Sequence, residues 1–552
     1  MRRFAFHTFR SVSIAGLIGA TLCFCVSLTP SLMPRSYLVQ GTLSGSCAAV
    51  GYGIGLLVVW LWTYLELPTL QRERRHRVRA VVACLALALA AAFLWQAEKW
   101  QNSIGAVMGL EAVDTAHPFR LTAVAFATFG TAIVIGYIFK TIAAYCQSHL
   151  KRFVPRRVAL VVSISLTAAL LWSVTEGVLL QAALRMADTS FREVDQLIED
   201  ETPMPTDPAK AGSAASLVRW KELGRQGRHF VSSGPGASEI GQFTGSPAVE
   251  PVRVYVGLNA AETPEERARL ALAELKRTGG FDREVLVVVV PTGTGWVDPA
   301  AVDTLEYLHR GNTATVAVQY SYLASWISLM VEPAYGSDTA RALFKEVYNY
   351  WTTLPKDRRP RLYLHGLSLG ALNSQLSADI YDVVGDPFQG ALWSGPPFSS
   401  GTWASITASR NEGSPAWLPT FRDGSIVRFT NQNNKLAIPG ATWGPIRVVY
   451  LQYASDAVTF FDWRSLYREP AWLKGERGPD VSPSFRWVPV VTMLQLGFDA
   501  MIATTSPMGH GHVYAPEHYI DAWLEVTQPE GWDADDVERL KTVFRSRFTD
   551  QD

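Results

Sequence analysis

RLYLHGLSLGALNSQL, residues 361–376, is the stretch whose reading decides the fold. Leu362–Leu364 is an apolar extended run and Ala371–Ala378 favours helix, with Gly366-Leu367-Ser368-Leu369-Gly370 between them. A bare G-x-S-x-G carries little information, since roughly one chain in five of this length would hold one by chance at ordinary glycine and serine usage. The flanks supply the information. A sharp turn from strand to helix lifts the central serine out of a sheet, and glycines on both sides let the strained backbone pass without Cβ clashes. Ser368 is therefore the candidate nucleophile.

Outward from this turn the chain alternates between strand and helix patterns. Val252–Val256, Val285–Val290, Thr315–Gln319, Arg361–His365, Gly390–Trp393 and Arg447–Gln452 read as strands. The unbroken β-branched run of 285–290 is of the kind buried on both faces of a parallel sheet. Helices are expected from the Thr263-Pro264 cap to about Lys276 and over Ser337–Trp351. Such alternation predicts an α/β domain with a mostly parallel, doubly wound sheet.

A serine is a poor nucleophile unless an imidazole takes its proton and a buried carboxylate holds that imidazole in the right tautomer. On this kind of sheet the partners follow in the order serine, acid, histidine. Asp456, just past the strand at 447–452, is the expected acid, with Asp462 as the alternative. Gly509-His510-Gly511-His512 offers two bases, of which His510 is preferred. No strand is recognisable before this loop. Oxyanion donors are expected from the amide after the nucleophile, Leu369, and from the loop PTGTGW after the buried strand, at Thr294 with Gly293 and Gly295 as alternatives. That loop lacks the third glycine of a dinucleotide fingerprint and the lysine of a P-loop, and no H-E-x-x-H or Cys/His set accompanies the histidines. Neither a cofactor nor a metal is expected. Among the aromatics, Trp296, Tyr320 and Trp393 are candidates to line an acyl pocket.

The 552 residues exceed one ordinary domain, and 48% are hydrophobic. The apolar residues are concentrated before about residue 180. Ser11–Leu28, Thr42–Leu65, Val78–Trp95, Leu121–Phe139 and Val158–Leu180 are each long and apolar enough to approach a bilayer core of about 30 Å. Gly41, Gly45, Gly51 and Gly55 suit the second window to close helix packing. Basic residues fill alternate loops: Arg2, Arg3 and Arg10; Arg72, Arg74, Arg75, Arg77 and Arg79; Lys140, Lys151, Arg152, Arg156 and Arg157. The positive-inside rule then places the amino terminus in the cytoplasm and everything after Leu180 outside. All five cysteines precede residue 180, so the outer domain needs no disulfide. The expected organisation is a transmembrane region over 1–180, a stalk helix (Gln181–Asp200) and linker over 181–250, and a catalytic domain over 251–552. Phe485–Ala503 is apolar but interrupted by Arg486, Pro489 and Asp499, which favours a lid or membrane-dipping helix over another span. A net charge of zero gives no reason to expect nucleic acid.

Several motifs together resemble those of the bacterial membrane-anchored α/β-hydrolase family, which joins a multi-span region to an extracytoplasmic hydrolase-like domain. They are SLTPSLMPRSYLVQG (27–41), RVYVGL, PTGTGWVDP, QYSYLASW, HGLSLGA, WSGPPF, YASDAV and GHGHVY. The resemblance covers nearly the whole chain. It implies a serine-hydrolase fold with esterase-like chemistry, Ser368 as nucleophile, and Asp456 with His510 or His512 as its partners. Together these readings lead to the expectation of an inner-membrane esterase or lipase acting on acyl esters of lipids or envelope glycans, with the bilayer itself as a partner. An acyltransferase using the same triad, or a non-catalytic membrane scaffold or transporter, are the alternatives.

Overall fold

The computed structural model describes residues 13–68, 72–173, 195, 202–322 and 333–549. The chain divides into two compact units, one joining Met1–Leu184 to Phe461–Ile502, the other comprising Arg185–Phe460 and Ala503–Asp552. The expected first boundary, at residue 180, lies outside the described residues. The second unit, by contrast, is interrupted: 42 residues from its middle, 461–502, cluster with the amino-terminal helices. The expected linker over 181–250 is also partly structured, because Gly224–Ser232 and Ala237–Thr244 are helices that bury Phe230, Val231 and Ile240. Gly/Ser/Pro content hid these short helices. The stalk helix expected over 181–200 falls, apart from Asp195, outside the described residues.

Of the first unit's helices, Tyr37–Tyr64, His76–Val107, Pro118–Leu150 and Arg156–Ser173 are long and apolar enough to cross a membrane. Ile14–Ser27, the described part of the first expected window, has 14 residues and extends about 21 Å at 1.5 Å per residue. Among the described residues, four of the five expected spans are thus helices of spanning length and one is a shorter apolar helix. Its partner explains the glycines: a Cβ on Gly51 would come within 2.2 Å of the Gly19 carbonyl oxygen, and one on Gly55 within 2.3 Å of that of Ala15. A Cβ on Gly41 would lie 2.8 Å from the Leu121 carbonyl oxygen, and one on Gly45 2.5 Å from that of Ala125. The spacing of small residues is thus used on two faces of one helix, as close backbone packing requires. Phe485–Ala503 contains the helix Val491–Ile502, whose Val491 is buried with Leu43 and Cys47 inside this first unit.

The second unit is built on a parallel sheet of seven strands in the order β1-β3-β2-β4-β5-β7-β6. The strands are β1 (Val252–Val256), β2 (Val285–Val290), β3 (Thr313–Val318), β4 (Arg361–Leu367), β5 (Gly390–Ser394), β6 (Val427–Thr430) and β7 (Arg447–Leu451). Every residue of β1, β2 and β3 is buried, as expected of strands covered by helices on both faces. β4 is the central strand, so the loops after β2, β4, β5 and β7 open along one edge, the carboxyl edge where α/β sheets carry their sites. β6 was not legible: four residues between two polar turns carry too short a pattern.

Gly370 sets the approach of the elbow helix to β2, because a Cβ there would lie 2.2 Å from the Val290 carbonyl oxygen. Gly370→Ala is expected to cost about 1–3 kcal/mol through overpacking, read as a lowered thermal midpoint of the full-length protein; an unchanged midpoint would contradict this packing.

Candidate active site

Ser368 stands between β4 and the helix Leu369–Gln375 with φ 58° and ψ −124°. This is a region L-residues avoid because Cβ crowds the backbone. Three contacts impose it. The Ser368 amide donates to the Ser394 carbonyl at 3.0 Å, continuing the β4–β5 ladder past its last pair. A Cβ at Gly366 would lie 2.3 Å from the carbonyl carbon of Gly370, and Gly370 abuts β2. Both glycines of the pentapeptide are thus required by a close approach. Ser374, the other serine nearby, is occupied: its Oγ accepts the Trp393 indole N–H at 3.0 Å.

Asp456 follows β7 and is fully buried. Its Oδ1 accepts the amides of Val458 (2.9 Å) and Thr459 (3.3 Å). Its Oδ2 accepts the Thr459 hydroxyl at 3.1 Å, the Tyr514 hydroxyl at 2.8 Å and His512 Nδ1 at 2.7 Å. Asp462, the alternative acid, instead caps a short helix through the Arg464 amide at 2.9 Å and lies in the other unit.

The structure pairs His512, not the preferred His510, with Asp456. His510 is half-buried, with Nδ1 3.3 Å from the Met508 carbonyl oxygen. The choice is made by the loop backbone. Gly511 donates its amide to Ser455 Oγ at 2.8 Å, His512 donates its own to the Ala503 carbonyl at 3.0 Å, and His510 bridges to Val513. Gly511, at φ 55°, also leaves no room for a side chain, since a Cβ would lie 1.9 Å from Ser506 Oγ. Because Asp456 only accepts, Nδ1 of His512 carries the proton and Nε2 the lone pair. Nε2 is buried and has no hydrogen-bond partner among the described residues. The ring lies beside Gly395, where a Cβ would be 2.8 Å from Cε1. Gly395 follows Ser394, which holds the Ser368 amide, so serine and imidazole are both seated on the end of β5.

Leu369 is the first residue of its helix, where backbone amides have no intrahelical acceptor. In the loop after β2, the Gly295 amide is bonded to the Thr292 carbonyl at 2.9 Å and Thr292 donates to Trp296 at 2.9 Å. That turn takes up the Gly295 amide. Of the pocket candidates, Tyr320 is buried with Val290 and Ala340, and Trp393 is buried against Tyr450, so both belong to the core; only Trp296 is half-exposed.

Two residues of the site were missed. Tyr514 sits two positions from His512 on an extended segment, the spacing that turns two side chains to one side, and that signal was present in GHGHVY. Asp298 was visible only as a helix cap before Pro299. It caps Pro299–Leu308 through the Ala300 amide at 2.9 Å and accepts the Tyr519 hydroxyl at 3.0 Å, tying the loop after β2 to the helix that follows GHGH. Burial pushes its carboxyl up to about 7. The folded chain thus keeps a proton that the unfolded chain releases near the ordinary 3.8. Stability from this group is full below about pH 4 and is lost as pH rises to about 7. The fall is expected to approach about 4 kcal/mol, three pKa units at 1.36 kcal/mol each. Denaturant unfolding at pH 5 and pH 8 should show a smaller decline in Asp298→Asn than in the wild type; equal declines would contradict the assignment.

Comparison with known families places two models on the chain. A model described as alpha/beta-hydrolase family matches residues 252–540, and one described as alpha/beta-hydrolase family N-terminus matches residues 28–235. No curated protein and no solved structure matches the chain. With more than half its length under the first model, and the elbow, parallel sheet and buried Asp–His pair in place, the chain belongs to the alpha/beta-hydrolase family.

Proposed function

We propose that the protein is a membrane-anchored serine hydrolase that cleaves acyl esters through an acyl-enzyme at Ser368. The observation that carries this reading is His512: Nδ1 is held by Asp456 while the buried Nε2 has no partner among the described residues, beside the strained turn that bears Ser368. A buried lone pair is costly unless it has work to do.

In this mechanism Nε2 takes the Ser368 hydroxyl proton as Oγ attacks the ester carbonyl carbon. The carbonyl π electrons move onto oxygen, where the amides of Leu369 and of Thr294 or Gly293 stabilise the charge. Collapse expels the alcohol, which receives the proton from Nε2. Water then repeats the sequence, releasing the acid and free Ser368. Asp456 keeps the imidazole oriented and stabilises the imidazolium. The Tyr514 hydroxyl and the Thr459 donors spread the charge of Asp456, so the carboxylate does not itself take the proton.

The substrates proposed are acyl esters of lipids or envelope glycans. The support is positional: four helices long and apolar enough to span a membrane precede the hydrolase unit, and basic residues mark the loops at 72–79 and 140–157. The positive-inside rule applied to those loops puts the hydrolase unit on the non-cytoplasmic side. That placement follows from the later loops and does not depend on the helix Ile14–Ser27.

A membrane-impermeant fluorophosphonate applied to intact cells should label the wild type and His510→Ala, but not Ser368→Ala. His512→Ala should lower ester turnover by up to about 10⁶-fold and Asp456→Asn by about 10⁴-fold. Labelling only after lysis would reverse the orientation, and labelling that survives Ser368→Ala would remove the nucleophile.

A further inference from the structure

The motif SLTPSLMPRSYLVQG, 27–41, has no part in the hydrolase chemistry, yet its polar side chains Ser27, Ser31, Arg35 and Gln40 are all buried. Their hydrogen bonds converge on the helix Val491–Ile502. Arg35 Nε donates to Asp499 Oδ1 at 2.8 Å and Nη2 reaches the same oxygen at 2.7 Å, both side chains having no exposed surface. Asp499 Oδ2 accepts the Leu32 amide at 3.0 Å. Arg35 Nη1 donates to Gln40 Oε1 at 3.0 Å, its Nη2 also contacts Ser31 Oγ, and Gln495 Nε2 donates to the Thr29 carbonyl at 3.0 Å. Apolar packing of Val491 with Leu43 and Cys47 completes the joint. A charge pair buried this completely holds its partners together strongly, because removing either strands the other. The motif is a receptor for one helix of the inserted segment.

Both ends of that segment lead to the catalytic pair. It leaves the hydrolase unit at Phe461, directly after Phe460, whose amide donates to the Asp456 carbonyl at 3.0 Å. It returns at Ala503, whose carbonyl accepts the His512 amide at 3.0 Å and the Ser506 hydroxyl at 2.8 Å. Val491–Ile502 therefore runs without a break into the residue that holds the backbone of His512.

We infer that the Arg35–Asp499 clamp makes the membrane-anchored region a positioning element of the hydrolase site: it fixes the helix Val491–Ile502 and, through Ala503, the loop that presents His512. This rests on the reading of Ser368, Asp456 and His512 given above. Arg35 and Asp499 touch no reacting atom; they act through the placement of the imidazole. Release of the clamp lowers turnover and leaves substrate binding in place, since Ser368 and the donor amides are carried by the sheet.

The test compares the full-length protein with Asp499→Asn and Gln495→Ala in lipid nanodiscs, by amide hydrogen exchange and by hydrolysis of a short soluble ester. Asp499→Asn should speed exchange by at least about tenfold across 491–502 and 503–514 together, with β2 and β4 unchanged. The turnover number should fall at least about tenfold while KM stays nearly constant, as displacement of a catalytic group predicts. If Asp499→Asn does not fold, Gln495→Ala, which removes only hydrogen bonds to main-chain carbonyls, should show the same pattern to a smaller degree. Faster exchange confined to 491–502, or none at all, overturns the inference. A wild type without esterase activity would refute the proposed reaction, and the exchange result would still decide whether the clamp holds the loop.

Discussion

The carbonyl oxygens of Val290 and Pro291, at the end of β2, leave room at residue 370 for a hydrogen atom and nothing larger. That close approach draws the elbow helix onto the sheet. With the Ser368 amide bonded to Ser394, the backbone between them is left only a positive φ. Such a conformation costs on the order of 1–3 kcal/mol and persists only where its surroundings over-determine it. Here they are the three central strands β2, β4 and β5, which also carry the donor loop and the seat of the imidazole. Ser368, the proposed nucleophile, is therefore held by three central strands of the sheet.

The proposed acid and base are fixed differently. Asp456 is a buried hub on which two backbone amides, two hydroxyls and one imidazole converge. Its charge is balanced by hydrogen bonds alone, with no arginine or lysine ion-paired to it among the described residues. Asp298 lies beyond this hub and responds to His512 electrostatically, but burial keeps its carboxyl near neutrality. Two buried acids in one site thus carry different duties, one holding the imidazole and one holding a loop to a helix.

What could be read from the sequence was local. The run VLVVVV, the Thr263-Pro264 cap and the G-x-S-x-G turn each state their conformation within a few residues, and β2, the helix Pro264–Arg277 and the elbow lie where expected. His510 and His512 are chemically equal in sequence, so sequence left the choice between them open. Only the bonds from Gly511 to Ser455 and from His512 to Ala503 separate them, and both depend on tertiary structure. The inserted segment was opaque for the same reason, since Arg35 and Asp499 meet across 464 positions of chain. Asp499 looked like a flaw in an apolar helix, and its buried partner gives it a purpose.

The central claim is that Ser368, activated by His512, forms a covalent acyl-enzyme. Its most direct measurement is rapid acid quench of the full-length protein with an activated ester, followed by mass mapping of the peptide containing residue 368. The account predicts an acyl group on Ser368 that appears before steady state and is absent from His512→Ala. Ester turnover with Ser368 unmodified, or acyl transfer to another residue, would contradict it.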